Sequence, residues 1–485
     1  MRPRVMSSVV AALAAALVIV LAVASAAVSR AASALIMGGT SHALSVPQDT
    51  PKFIAKYVAD ANADYIEPSG LCGHDCSLIA AYSPGEIRFV TGLFDMSFDR
   101  SVAIGLANLD NCIRGVSCTV TDDPYTSTGS RIIDDDAFLV YAYSASATVA
   151  SQQKLRLIAN PVDARVNFLM LANPNRPNGG ILERFVGAYV PFLGITFDGA
   201  TSTSSSSANP LTTVDIARQY DGWVDFPTNP LNLLAVLNAV VGTVSVHGNY
   251  FDAGDPQLQG RYQDTSYYLI PTPVTPLLTP LTWIPWAGKP LALALDAPLR
   301  VLIETGYDRT VNPGQPTPAR FFYAPDLFRT AINFAIAIPT GWDDAISYLT
   351  GDPDLRPFGT APVTSPYGVG GPPVYAGSVD PYDDSPATPT EARREAKRAD
   401  SSEPQVSPAT ADLGGAAEPT DLDTGDDALT GEQTPDGSTT EGQSADPERV
   451  TTGRQLRADT AASDSALNVR RDSRRPSAAA GSRRG

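Results

Sequence analysis

The 485-residue chain has few basic residues for its size. It contains 35 Lys and Arg against 52 Asp and Glu, which gives a formal net charge of −17. Nucleic-acid binding needs clustered Lys and Arg to neutralise phosphates. The sequence therefore excludes nucleic acid as an expected partner, and its acidity favours solubility.

Histidine is the scarcest of the residues that commonly carry catalysis. The chain has three, His42, His74 and His247. Because histidine is the side chain best suited to act as a base near neutral pH, these three are the whole list of candidates.

Cysteine is also rare, and the four cysteines fall into two close pairs, Cys72 with Cys76 and Cys112 with Cys118. In an exported chain such pairs predict two local disulfides. His74 lies between Cys72 and Cys76, which leaves a zinc site as an alternative. Exported thiols usually oxidise, however, and no second half rich in ligands follows. We expect no metal and no other cofactor.

A long apolar run occupies the N-terminus. Arg2 and Arg4 precede uncharged residues that end in small side chains, so residues 1–33 are predicted to be a secretory signal. Residues 9–28 also approach the roughly 20 apolar residues needed to cross a bilayer, so an uncleaved anchor stays open. Either reading predicts a protein that is secreted or associated with the cell envelope.

The C-terminal part, residues 376–485, has no apolar periodicity and consists mainly of Pro, Gly, Ser, Thr, Asp and Ala. Such a segment cannot bury enough apolar surface to offset its ordering entropy, so we predict a disordered tail. Its last 16 residues contain six arginines. They favour a solvated end, with a tether to an anionic envelope surface as the alternative.

Residues 34–375 are predicted to form one α/β domain. Short apolar runs alternate with helix-like stretches, which indicates a mostly parallel central sheet flanked by helices, and no internal repeat is present. The strand candidates are residues 34–37, 137–143, 165–171 and 212–220, and the clearest helix candidates are 145–157 and 231–241.

The most informative stretch is DDDAFLVYAYSASATVAS, in which a predicted buried strand runs into Ser144 and then into a helix. This is the context of a nucleophile elbow. Ala142 and Ser146 stand where the G-x-S-x-G form has glycine, and both are small, as the strained turn requires. Helix capping by Ser144 is the alternative reading.

Two backbone groups are candidates to stabilise an oxyanion. The N–H of Ala145 would point from the first turn of the helix toward the serine. Thr40 follows Gly38 and Gly39 after the first predicted strand, where two glycines allow the backbone to approach a substrate oxygen closely. An ordinary glycine turn is the alternative for this loop.

His247 is the preferred base because it follows the serine in the chain, as the Ser, Asp, His order of α/β-hydrolases requires. The acid should come from the loop after the strand ending at Tyr220, which offers Asp221 and Asp225. We prefer Asp221 because it directly follows Tyr220, but the sequence does not separate the two.

A proline-rich apolar stretch, LIPTPVTPLLTPLTWIPWAG, carries Trp283 and Trp286. Core packing with turns at the prolines is the favoured interpretation. An apolar loop flanking a substrate cleft is the alternative.

From about Ala34 to Asp308 the chain resembles the PE-PPE domain family, a cutinase-like branch of the α/β serine hydrolases exported to mycolate-bearing envelopes. The resemblance is carried by segments such as ALIMGGT, VYAYSASATVAS, YDGWVDFPTNPLNLLAVLNAVVG and VHGNYF. It implies a triad of Ser144, an Asp of the YDGWVD loop and His247, acting on fatty-acid esters. Only the export segment precedes the domain, so we expect no N-terminal PE or PPE module.

Three functions are compatible with this sequence. The first is an esterase or lipase that hydrolyses fatty-acyl esters, and the second is an envelope acyltransferase that uses the same triad on a glycolipid. The third is a catalytically silent envelope-binding protein, whose direct support is Ala142 in place of the first glycine. The expected partners are an acyl ester or glycolipid substrate and the envelope or membrane.

Overall fold

The computed structural model describes residues 32–371 apart from three short gaps, at 74–75, 207–209 and 252. His74, nearly all of the export segment and the 376–485 tail lie outside the described residues. The sequence-based expectations for them, and for the domain limits 34–375, stay predictions.

The described residues contain a large mixed sheet. Its nine strands are β1 (Ala32–Met37), β2 (Cys76–Ala81), β3 (Cys118–Thr121), β4 (Thr128–Arg131), β5 (Ala137–Tyr143), β6 (Arg165–Leu171), β9 (Thr213–Arg218), β10 (Gln257–Tyr262) and β11 (Thr265–Ile270). Two further strands, β7 (Tyr189–Val190) and β8 (Ile195–Thr196), pair as a separate antiparallel hairpin.

The strand order is β10-β11-β9-β6-β5-β1-β2-β3-β4. The middle six strands, from β11 to β2, run parallel, whereas β10, β3 and β4 are antiparallel to their neighbours. Parallel strands covered on both faces are continuously apolar, as in the sequence AFLVYAY of β5. The α/β-hydrolase class expected from the sequence is therefore confirmed.

Helices cover the sheet and extend beyond it. They are α1 (Pro51–Ala61), which continues as a π-helical segment (Asn62–Ile66) and α2 (Glu67–Ser69), then α3 (Phe98–Ile113), α4 (Ala145–Ala159), α5 (Ile181–Arg184), α6 (Leu233–Ser245), a 3-10 helix (Pro276–Trp283), α7 (Gly288–Glu304) and α8 (Leu327–Thr350). Within the described part of the chain, none of them combines the length and apolarity that a membrane-spanning helix requires.

Two apolar cores lie on opposite faces of the sheet. Successive strand residues point to opposite faces. Leu35 of β1 accordingly packs in the core that holds α3 and α4, whereas Ile36 packs in the core that holds Ile54 and Tyr57 of α1. The sheet is thereby fixed between helices, and the carboxyl ends of its parallel strands form a rigid edge.

The predicted elements are present with small changes of boundary. β5 and β6 match their predicted limits, β9 is shorter than the predicted 212–220, and α4 and α6 end later than predicted. The favoured core packing of Trp283 and Trp286 is wrong, because Trp283 is 76% exposed and Trp286 is 91% exposed. The 3-10 helix buries Leu278 and Pro276 instead.

Both predicted disulfides are present, Cys72–Cys76 and Cys112–Cys118. The second joins the end of α3 to the start of β3 and is buried. Because the sulfurs of each pair are bonded to each other, they cannot supply thiolates to zinc, so the alternative of a zinc site is wrong.

Candidate active site

Ser144 lies in the sharp turn between β5 and α4. Its backbone has φ 59° and ψ −116°, a left-handed conformation that non-glycine residues seldom adopt. The hydroxyl makes no capping hydrogen bond to α4, and its Oγ lies 2.6 Å from Nε2 of His247. The arrangement is that of an elbow that presents a serine, not of an ordinary helix cap.

Ser146 holds this turn together with its own side chain. Its Oγ accepts a hydrogen bond from the N–H of Tyr143 at 2.9 Å and donates to the carbonyl of Tyr143 at 3.1 Å. A glycine at 146 could form neither bond. Ala142 is fully buried within β5 and is not among the residues with positive φ, so its backbone does not require glycine.

His247 lies just after α6 and connects Ser144 to Asp221. Its Nδ1 is 2.7 Å from Oδ2 of Asp221, while Nε2 faces the serine. The imidazole is largely buried, and the carboxylate is fully buried. A continuous path of hydrogen bonds therefore runs from the carboxylate to the hydroxyl.

Asp221 is held by two further donors. Oδ1 accepts from the N–H of Trp223 at 3.0 Å, and Oδ2 accepts from the hydroxyl of Tyr250 at 2.9 Å. Burial raises the pKa of Tyr250 well above its ordinary value, and the charge of Asp221 raises it further. Tyr250 therefore stays protonated and donates. The sequence reasoning missed this residue, although VHGNYF places it three residues after His247.

Asp225 does not contact the histidine in this structure. Its carboxylate accepts hydrogen bonds from Arg309 at 2.5 and 3.1 Å and from the N–H of Tyr220 at 2.9 Å. Arg309 also pairs with Glu304 at 2.9 Å. Asp225 is thus part of a buried ion-pair network beside the site.

The other described histidine, His42, lies in the glycine loop after β1. Its Nδ1 is 3.0 Å from Asp49, and its ring stacks on Phe53 with centroids 4.3 Å apart. Asp49 also accepts from the N–H of Leu44 at 2.8 Å. These contacts brace the loop and do not bring His42 to Ser144.

Thr40 and Ala145 lie beside Ser144 along one cleft. Gly39 allows the loop before Thr40 to pass close to Tyr143 and Ser144, because a Cβ at Gly39 would lie 2.8 Å from the Tyr143 ring and 3.4 Å from the Ser144 Cβ. Ala145 is the first residue of α4, so its N–H has no acceptor within the helix. Both residues predicted as oxyanion donors therefore border the space beside the hydroxyl.

The cleft contains about 310 Å³ of empty space, counting the part open to solvent. Among the described residues that line it, Thr40, Ser144 and Trp223 have polar side-chain groups. The remaining lining is apolar and consists of Ile87, Phe98, Ala145, Pro174, Leu182 and Ile195. Such a surface suits a hydrocarbon chain better than a charged substrate.

A hydroxyl, an imidazole and a buried carboxylate in this order form an arrangement that can activate a nucleophile by proton transfer. Together with the mostly parallel sheet, they define the class as an α/β-hydrolase with a serine at its elbow. Residues 77–308 match the model of the PE-PPE domain. The chain carries a PE-PPE domain, and the resemblance stated from the sequence is confirmed.

Curated relatives come from Mycobacterium tuberculosis. The PPE family protein PPE42 (strain CDC 1551 / Oshkosh) is 32% identical over 67% of this chain and 53% of its own length. Esterase PE16 (strain H37Rv) is 34% identical over 60% of this chain and 53% of its own length. SL1278 acyltransferase Chp1 (strain H37Rv) is 29% identical over 49% of this chain and 54% of its own length. The chain thus spans about half the length of these relatives, and no solved structure gave a significant match.

Proposed function

We propose that this protein is an exported serine esterase that hydrolyses fatty-acyl esters. The observation that carries the proposal is the hydrogen-bonded series Asp221, His247 and Ser144 at an apolar cleft. The apolar N-terminal segment supports export. Similarity to a relative named esterase supports the reaction class.

In the proposed mechanism Ser144 Oγ attacks the ester carbonyl while its proton passes to Nε2 of His247. Collapse of the tetrahedral intermediate breaks the ester C–O bond, and the alcohol leaves with the proton from Nε2. Water then attacks the acyl-enzyme, again losing a proton to Nε2, and the fatty acid leaves as Ser144 regains its proton. Asp221 holds the imidazole and stabilises the imidazolium formed in both steps.

The negative charge of each intermediate develops on the former carbonyl oxygen. In this proposal the N–H groups of Thr40 and Ala145 donate to that oxygen. Donors fixed in advance by the glycine loop and by the first turn of α4 need no reorganisation during the reaction. Loss of one such donor typically costs about 10²–10³ in kcat.

An envelope acyltransferase is the second candidate, and similarity to a relative named acyltransferase favours it. In that reaction the hydroxyl of a glycolipid acceptor replaces water in the second step. The same three residues would serve, since only the nucleophile that resolves the acyl-enzyme differs.

A catalytically silent envelope-binding protein is the third candidate. Its support in the sequence was Ala142, and the ordinary strand backbone at that position removes the conformational reason for glycine. The close approach of His247 to Ser144 also argues against it, because an abandoned site has no need to keep this geometry.

Labelling with a fluorophosphonate probe tests the proposal directly. We expect the wild-type protein to be labelled at Ser144, and the Ser144→Ala variant to be folded and unlabelled. An unlabelled wild-type protein would support the silent alternative. If Ser144 reacts with the probe, the protein is then incubated with an ester whose acyl chain is radiolabelled, with and without a glycolipid acceptor. Release of free fatty acid indicates an esterase, and transfer of the labelled chain to the acceptor indicates a transferase.

A further inference from the structure

Two surface segments border the cleft. The first, the 87–97 loop, lies between the cleft residues Ile87 and Phe98, and the second, the 185–197 hairpin, carries the cleft residue Ile195. The N–H of Phe98 donates to the carbonyl of Leu193 at 3.1 Å. The two segments therefore form one continuous surface beside the cleft.

This surface exposes large apolar side chains. Phe94 is 94% exposed and Phe192 is 61% exposed, and other apolar residues of the two segments are also exposed, namely Phe89, Val90, Leu93, Val186 and Tyr189. Exposed apolar side chains that cluster instead of being scattered mark a site of interaction.

Two carboxylates at this surface accept hydrogen bonds from the 87–97 loop itself. Asp95 accepts from the hydroxyl of Thr91 at 2.5 Å, and Glu86, just before the loop, accepts from the N–H of Met96 at 2.9 Å. Arg88, which is partly buried, is the other charged residue of the loop, and the 185–197 hairpin contains no charged residue. The two segments therefore carry one positive and one negative side chain, Arg88 and Asp95, and have no net charge of their own.

The loop also has a fixed shape. The N–H groups of Val90 and Thr91 both donate to the carbonyl of Ile87 at 2.9 Å, and the N–H of Phe89 donates to the carbonyl of Gly92 at 2.9 Å. A loop held in this way keeps its apolar side chains toward solvent instead of folding them inward.

We propose that the 87–97 loop and the 185–197 hairpin dock the protein onto the surface of an uncharged lipid aggregate. The proposal rests on the proposed function, and names the physical state of its substrate. A lipid surface fits this position better than a protein partner. A protein bound across both segments would cover the mouth of the cleft, whereas a lipid surface supplies acyl chains to it. Long-chain esters then enter the cleft without first dissolving in water. Because the surface is nearly neutral, docking does not depend on salt.

The docking test uses the full chain carrying Ser144→Ala, so that binding is measured without turnover. Flotation with dioleoyl phosphatidylcholine vesicles compares the Phe94→Ser/Phe192→Ser double variant with a Phe328→Ser/Phe358→Ser control. The control phenylalanines lie in α8 and in the segment after it, and are 78% and 60% exposed. We expect vesicle affinity to fall at least about tenfold in the first variant and to stay within about twofold in the control.

The activity test restores Ser144 and uses two substrates. Hydrolysis of emulsified trioleoylglycerol should fall in the Phe94→Ser/Phe192→Ser variant, while hydrolysis of dissolved p-nitrophenyl butyrate should stay within about twofold, since neither residue lines the cleft.

The outcomes separate the two proposals. Three results would each overturn docking by this surface. They are an equal loss of vesicle affinity in both double variants, no vesicle binding by the parent chain, and vesicle binding that 1 M salt abolishes. Vesicle binding that needs Phe94 and Phe192 in a wild-type chain that hydrolyses neither substrate would support docking and refute the esterase.

Discussion

Asp221 and Asp225 lie four residues apart, yet their carboxylates have different partners. Asp221 faces His247, whereas Asp225 is bound by Arg309. The sequence alone could not show which of the two is the acid, because Arg309, which binds Asp225, is 84 residues away in the chain. The same reasoning did reduce the acid to this one loop, since a triad acid must follow a strand of the sheet.

The first prediction is a separation of activity from stability. Asp221→Asn should lower kcat by about three to four orders of magnitude, because the amide no longer stabilises the imidazolium. Asp225→Asn should leave the histidine contacts in place but lower the free energy of unfolding by about 3–5 kcal/mol, because it leaves Arg309 buried with less compensation. Ester hydrolysis and urea unfolding measure the two effects, and the opposite assignment would refute the proposed acid.

The second prediction concerns Tyr250 as a positioning residue. Tyr250→Phe keeps the ring in place but removes the hydrogen bond to Oδ2 of Asp221, and with it the acceptor of the Arg218 N–H. Hydrogen bonds to charged groups contribute roughly 1.5–3 kcal/mol, so kcat should fall by about 10- to 100-fold.

KM for a soluble ester should stay within about twofold in this variant, because Tyr250 does not line the cleft. A rise in KM with unchanged kcat would mean that Tyr250 acts on binding. Tyr307→Phe is a matched control, since its hydroxyl also donates to a buried acceptor, the carbonyl of Asp225.

Among the secondary-structure elements, the strands that are buried in the sheet were predicted best. β5 and β6 were predicted with their observed limits, because β5 is a continuous apolar run and β6 ends in four consecutive buried apolar residues, 168–171. The proline-rich stretch around Trp283 is also apolar and was assigned to the core, yet both tryptophans are exposed. Composition alone cannot distinguish an apolar segment that fills a core from one that faces outward.

The elbow between β5 and α4 yields the third prediction. Ala142→Gly restores the common glycine but should not raise kcat by more than about twofold, because Ala142 already has an ordinary strand backbone. It should lower stability by roughly 0.5–1 kcal/mol, since glycine loses more conformational entropy on folding than alanine. Ester kinetics and thermal unfolding test both parts. A large gain in activity would show that the methyl group hinders the elbow.

The disulfide between α3 and β3 yields the fourth prediction. Replacing Cys112 and Cys118 by alanine should lower the free energy of unfolding by about 2 kcal/mol, because without the cross-link the unfolded chain has higher conformational entropy. The matched Cys72→Ala/Cys76→Ala variant removes a disulfide that closes a shorter loop, with a sequence separation of 4 instead of 6. Its loss should be smaller, and the reverse order in urea unfolding would contradict this account.

At the scale of the whole molecule, the folded unit is larger than the matched range 77–308. β1 lies in the middle of the sheet between β5 and β2, and the loop after it carries Thr40. On the other side, Arg309 binds Asp225 beside the site. The sequence-based limits of this domain, residues 34–375, stay predictions. Residues 362–371, at the end of the described part of the chain, have the composition of a linker.

Those last described residues are nonetheless part of the packing. The carbonyl of Pro366 accepts hydrogen bonds from Gln219 at 2.7 Å and Arg300 at 3.0 Å. Tyr367 is buried, and the guanidinium of Arg309 lies 4.7 Å from the centroid of its ring. The segment therefore covers polar groups just after β9, in α7 and in the ion-pair network of Asp225.

The fifth prediction uses this boundary. A chain ending at residue 373 should keep its ester hydrolysis and melting temperature, because the removed tail is polar and has no apolar pattern with which to pack. A chain ending at residue 363 should lose about 3–5 kcal/mol of stability, the usual cost of removing a buried aromatic side chain. Thermal unfolding and ester hydrolysis of the two truncations, compared with the full chain, measure the difference. Equal stability of the two truncations would mean that Pro366 and Tyr367 contribute little, whereas a large loss in the longer one would mean that the tail packs against the domain.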